Sequence, residues 1–110
     1  MSTLTEKANT LAKTWPGIRI ITDASIQYVY IPNLKITCKG EEVVVEALLC
    51  PSKHGGYLTR LFISKPLTQA CTNWTQHAIC GKAWHAWSWQ GIPETLDLMQ
   101  MILGHVRALR

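Results

Sequence analysis

Hydrophobic positions recur first at helical spacing and then in strict alternation. Leu4, Ala8, Leu11 and Ala12 form a narrow apolar stripe. Thr3 and Glu6 fit the S/T-x-x-E capping box, in which each side chain satisfies a backbone N–H at the other's position. Together they predict a helix over Thr3 to Trp15, ended by Pro16-Gly17. Ile18 to Ile21 is then a short apolar run. Ile26, Tyr28 and Tyr30 alternate with Gln27, Val29 and Ile31. Pro32-Asn33 reads as a turn, after which Leu34, Ile36 and Cys38 alternate with Lys35 and Thr37, as a half-buried strand requires. Lys39-Gly40-Glu41 is a further turn. Glu42 to Leu49, with Val43, Val44 and Val45, has the strongest strand character in the chain. A loop rich in turn residues follows from Pro51 to Gly56, and Tyr57 to Ser64 predicts another strand. Near the end, Leu96, Met99, Ile102, Leu103 and Val106 share one helical face. That helix is expected to start at Pro93. Glu94 and Asp97 would sit at the positive end of its dipole, and Arg107, Arg110 and His105 would suit the negative end.

Short turns between successive strands imply antiparallel neighbours, because parallel ones need long crossovers. A sheet must bury at least one face, and the two helices are the available cover. The expected fold is therefore α+β: an N-terminal helix, an antiparallel four-stranded meander, an active-site loop and a C-terminal helix, in a single domain over residues 1–110. A length of 110 residues suits one modest core, and 47% hydrophobic with 16% charged residues excludes a disordered chain. The net charge of +4 comes from scattered residues. No basic run marks a nucleic-acid or lipid surface, so neither nucleic acid nor membrane is expected as a partner. The start of the chain lacks the apolar segment of a signal peptide, and no apolar run reaches the roughly 20 residues that cross a bilayer. These features predict a soluble cytoplasmic protein whose four cysteines are free thiols.

Candidate chemistry concentrates between Cys71 and Leu96, which holds Cys71, Cys80, His77, His85 and a group of tryptophans. A cysteine in a loop after a sheet can act as a nucleophile when its thiolate is stabilised and reachable. Cys80 is the leading candidate. His77, three residues earlier, would steer or activate it. Asn73 would donate its amide to a developing oxyanion, and Lys82 adds positive charge. No carboxylate lies between Cys71 and Gly91, so an acid would have to come from elsewhere, which favours acyl transfer over hydrolysis. The bland alternatives are that cysteines are usually packing and that Trp84, Trp87 and Trp89 are core instead of a partner-binding surface. A third alternative is a zinc module built from Cys71, His77, Cys80 and His85, although their irregular spacing matches no common zinc motif.

Ala78-Ile79-Cys80, Trp89 nine residues later, and Ile92-Pro93-Glu94-Thr95-Leu96 leading into an amphipathic helix together resemble the ubiquitin-conjugating enzyme family. The likeness is nearest to its divergent bacterial members, which often carry a histidine just before the cysteine. Cys71-Thr72-Asn73 stands roughly where the family has His-Pro-Asn. The resemblance implies that Cys80 accepts the C-terminal acyl group of a ubiquitin-like protein from an activating enzyme, as a thioester. It then passes the group to an amine on a protein target, with Asn73 or His77 assisting. It also implies a shortened form of the family's fold, with Lys7 and Lys13 on the first helix facing the activating enzyme and no metal or organic cofactor. A relative that has lost catalysis would instead bind its partner through Trp84, Trp87 and Trp89.

Overall fold

The structure, a computed structural model, describes residues 4–38, 40–51, 59–65, 74–87, 92 and 96–107. Among them run α1 (Leu4–Leu11), β1 (Arg19–Asp23), β2 (Ile26–Cys38), β3 (Glu41–Cys50), β4 (Arg60–Ile63), β5 (Trp74–Ile79), β6 (Lys82–Trp87) and α2 (Leu98–Arg107). The strands form one antiparallel sheet in the order β1-β2-β3-β4-β6-β5. This corrects the four-stranded, helix-led α+β expectation and, with it, the shortened ubiquitin-conjugating fold that the resemblance implied. The stretch read as an active-site loop folds instead as a hairpin, with Trp74 opposite Trp87 and Ile79 opposite Lys82. The two extra strands place apolar residues on both faces, Trp74 and Trp87 toward one core and Ile79 and Trp84 toward the other, which gives Trp74–Trp87 no simple polar–apolar alternation and so hides its period.

Strands occur where alternation predicts them between residues 18 and 64, with one difference. Pro32-Asn33 is no turn: β2 runs straight through it. Ile31 pairs with Ala47 but Leu34 pairs with Val45, so one extra residue is accommodated as a bulge. A bulge tolerates proline, which has no N–H to give to the ladder. The bulge also switches parity. Val29 and Ile31 before it, and Leu34, Ile36 and Cys38 after it, all enter the same core. Gly17 lies against this point with φ +90°, where a side chain would be strained, and a Cβ there would stand 3.1 Å from Pro32 Cγ.

One face of the sheet packs against Ala8 and Leu11 of α1 and Leu98, Met101, Ile102 and Val106 of α2. The first helix stops at Leu11, short of the expected Trp15. The chain goes on in turns, with Thr14 N and Trp15 N both bonded to Leu11 O, because a residue preceding proline disfavours the helical region. The second helix is started by Asp97. Its Oδ1 accepts the Gln100 N–H at 2.8 Å while the Gln100 side chain accepts the Asp97 N–H at 3.4 Å, a reciprocal capping box. The expected start at Pro93 and the capping residue Thr3 lie outside the described residues.

The opposite face buries a second core of Tyr28, Leu48, Cys50, Phe62, Ile79, Trp84 and Ala86. Both described helices lie on the first face, and toward the second the sheet curls. The curl brings two hairpin tips together. β1 and β2 are joined by the two residues Ala24-Ser25, both with positive φ (51° and 66°), and β5 and β6 by Cys80-Gly81 (50° and 74°). These are the dihedral signs of primed turns, whose twist matches that of the flanking strands. In such a hairpin the Asp23–Ile26 pair exchanges its hydrogen bonds, which leaves the Thr22 carbonyl facing outward from the free edge of β1. That carbonyl and the Asp23 carboxylate receive the tip of the other hairpin.

Candidate functional site

Cys80 occupies the first position of the β5–β6 turn and is exposed, whereas Cys38 and Cys50 are buried. Its backbone N–H donates to Asp23 Oδ2 at 3.1 Å, and its thiol lies 3.7 Å from the Thr22 carbonyl oxygen. The thiol is thus carried on a two-residue turn between paired strands and pinned to a third strand. Asp23 is the carboxylate that the central stretch lacks. It comes from β1, and only the curl of the sheet brings it beside Cys80.

A cavity of about 230 Å³ opens beside this turn, lined by Arg19, Ile21, Tyr30, Glu46, Ile79, Cys80, Lys82 and Trp84. Glu46 organises its polar side. Tyr30 donates its hydroxyl to Glu46 Oε1 at 2.8 Å, and Lys82 Nζ pairs with Oε2. The Lys82 hydrogen bond, followed by the Tyr30 one, holds the Glu46 carboxyl below its usual range. The same bond to Glu46, with some desolvation, pushes the Tyr30 phenol up. Two cations lie on aromatic faces, Arg19 over Tyr30 and Lys82 over Trp84, each 4.9 Å from the ring centre.

The other expected site residues are distributed as follows. His77 is half-buried on β5. Its ring stands edge-on to Phe62 at 5.2 Å, and its Nε2 lies 2.8 Å from Thr75 Oγ1. That contact holds the nitrogen toward the start of β5 and away from the turn carrying Cys80. Asn73, Cys71 and Trp89 lie outside the described residues. Trp84 and Trp87 are 3% and 2% exposed and belong to the second and first cores respectively, so neither indole presents a broad outer surface. Lys7 and Lys13 are exposed, on α1 and just beyond it. The zinc arrangement fails on strand geometry. His77 pairs with Trp84 while His85 pairs with Gln76, which sends the two histidines to opposite faces. No cluster of three or more potential metal ligands occurs among the described residues.

Sequence reasoning missed a second polar group at the sheet–helix junction. The buried Thr59 lies 2.8 Å from both the Ile92 carbonyl oxygen and His105 Nε2. A hydroxyl has one proton. Given to Ile92, it leaves the Thr59 oxygen as an acceptor, so Nε2 of His105 carries the ring proton. Burial, reinforced by the positive charge of Arg60, lowers the His105 pKa to about 4. His105 is therefore neutral at pH 7 and does not serve as the helix-end cation that its position suggested.

No family model, no curated protein and no solved structure matches this chain. No described helix is long and apolar enough to cross a membrane.

Proposed function

We propose that this protein carries an acyl group on Cys80 as a thioester and passes it to an amine, as a step in conjugating a ubiquitin-like protein to a target. The observation that carries this reading is the position of the thiol. Cys80 is exposed, held on a pinned turn and set at the edge of a cavity that contains cationic groups. Thioester exchange asks for a reachable, positioned thiol more than for an elaborate active site. In the first step the Cys80 sulfur bonds to the acyl carbon of the activating enzyme's thioester, and that enzyme's thiolate leaves. In the second an amine attacks the same carbon, the Cys80 thiolate leaves and an amide forms. Asp23, whose carboxylate accepts the Cys80 backbone N–H, would take the proton that the amine must lose.

The activating enzyme would meet α1, where Lys7 borders a groove of about 390 Å³ lined also by Leu4, Ser25 and Leu98, with Lys13 beyond the helix end. The test is incubation with a ubiquitin-like protein, its activating enzyme and ATP, followed by a non-reducing gel. A shifted band that reductant removes, and that Cys80→Ser converts to a reductant-resistant band or abolishes, is expected. An unshifted band, while the activating enzyme is visibly loaded, would reject the reading in favour of a binding module without catalysis.

A further inference from the structure

We infer that the cavity beside Cys80 is a binding site for a small organic monoanion, a carboxylate with a flat or short apolar body, and that Arg19 holds its charged end. This is independent of acyl carrying by Cys80, and each can hold without the other. The walls decide the body of the ligand. Ile21, Ile79 and the Trp84 ring present apolar surface, and desolvating that surface favours an apolar guest. The volume of about 230 Å³ equals roughly eight water-sized volumes at about 30 Å³ each, enough for a molecule the size of benzoate.

The charges decide the head of the ligand. Two cations and one carboxylate line the cavity. Lys82 and Tyr30 occupy the two oxygens of Glu46, so Glu46 and Lys82 neutralise each other and the lysine is committed. Arg19 differs. Its guanidinium carbon lies over the Tyr30 ring, and no ion pair joins it to a carboxylate among the described residues. The lining residues therefore carry one net positive charge, on the Arg19 guanidinium over the Tyr30 ring, while the neighbouring Asp23 carboxylate is engaged by the Cys80 backbone N–H. A planar guanidinium matches a carboxylate through two parallel hydrogen bonds. A cationic guest would face Arg19 unfavourably, and a neutral one would leave its charge unmatched.

Cys80 lines the same cavity, so an anionic aromatic disulfide should be delivered to its thiol. In the reaction with dithiobis(nitrobenzoate), the Cys80 thiolate attacks one sulfur, a mixed disulfide forms and one thionitrobenzoate leaves with the electron pair. The uncharged dithiodipyridine reacts by the same exchange and serves as the reference. The experiment measures both rates at Cys80 by peptide mapping, for the native chain and for Arg19→Gln, with and without benzoate. It also follows backbone amide shifts during a benzoate titration of the native chain.

Arg19 is exposed, so Arg19→Gln is expected to fold, and circular dichroism checks this. Loss of one charge-assisted pair should slow the anionic reagent about tenfold while changing the neutral one by less than about twofold. Benzoate should compete with the anionic reagent and shift the amides of Arg19, Ile21 and Cys80. Equal slowing of both reagents by Arg19→Gln, or a benzoate titration that leaves these amides unmoved, overturns the proposal. The gel assay for thioester formation is independent of either result, so failure of one reading is not confused with failure of the other.

Discussion

Between pH 6.5 and pH 4 the folded protein loses about 3 kcal/mol of stability through His105 alone. The figure follows from the lowering of its pKa from 6.5 to about 4, at roughly 1.4 kcal/mol per unit. Above pH 6.5 the imidazole is neutral in both folded and unfolded chains and contributes no difference. As the pH falls below 6.5 the unfolded chain takes up the proton first, which favours unfolding. The loss grows until about pH 4, where the folded chain also binds the proton, and it is constant below that. His105 is 2% exposed, its Nε2–H is engaged by Thr59, its ring stands edge-on to Trp87, and the Arg60 charge opposes a second positive charge nearby. Urea unfolding at pH 7 and pH 4, on the native chain and on His105→Gln, checks it. Glutamine keeps an N–H for Thr59 but does not titrate. The pH-dependent part of the difference should shrink by about 3 kcal/mol in the variant, whatever the variant's stability at pH 7. An unchanged pH dependence would show that His105 titrates normally in the fold.

Phe62→Ala is expected to cost about 4 kcal/mol, within the usual range for deleting a buried aromatic ring. Phe62 is fully buried at the centre of the second core. Its ring meets Tyr28 edge-on at 6.0 Å and His77 at 5.2 Å, and the Arg60 guanidinium lies 5.7 Å from its centre. Removing the ring leaves a cavity and also strips a buried cation of its aromatic surface. A domain of this size has only about 5–15 kcal/mol to lose, so the variant should unfold at much lower urea. Leu103→Ala, at a position 51% exposed on α2, should change stability by no more than about 0.5 kcal/mol. Similar effects for the two substitutions would mean that the second face of the sheet is not a core.

The strands between residues 18 and 64 were legible for two reasons: β2 alternates on either side of its bulge, and β3 carries a run of β-branched residues, Val43 to Val45, although its second half is buried on both faces. The hairpin from Trp74 to Trp87 was not, although its turn signal was present. Gly81 supplies a positive φ at the second turn position, as a primed turn favours. Yet Trp74 and Trp87 face one core while Ile79 and Trp84 face the other, so no polar face marked the strands. The histidines and cysteines there drew attention to chemistry and suggested a loop. Pro32 punctuates a bulge as readily as a turn. The shift from Val29 and Ile31 to Leu34 and Ile36 is the mark of one inserted residue, but only the pairing with β3 separates the two cases.

Within the site, Cys80 and Lys82 could be named from the sequence because they are local. Asp23, Glu46, Arg19 and Tyr30 could not. They meet Cys80 only because a sheet whose first and fifth strands form opposite edges curls far enough to bring its corners together. The same long-range geometry hid Thr59 and turned His105 from a surface cation into a buried neutral group.

The central claim is that Cys80 offers a reachable thiol on an ordered turn while the other described cysteines are core. Alkylation of the native protein with iodoacetamide, followed through time by peptide mapping, tests it most directly. Cys80 should be modified well before Cys38 and Cys50, at a rate close to that of an unstructured cysteine peptide, while those two react only as the whole fold opens. Labelling of Cys80 as slow as that of Cys38 and Cys50 would contradict the account, because no acyl group could then reach the thiol in the folded protein.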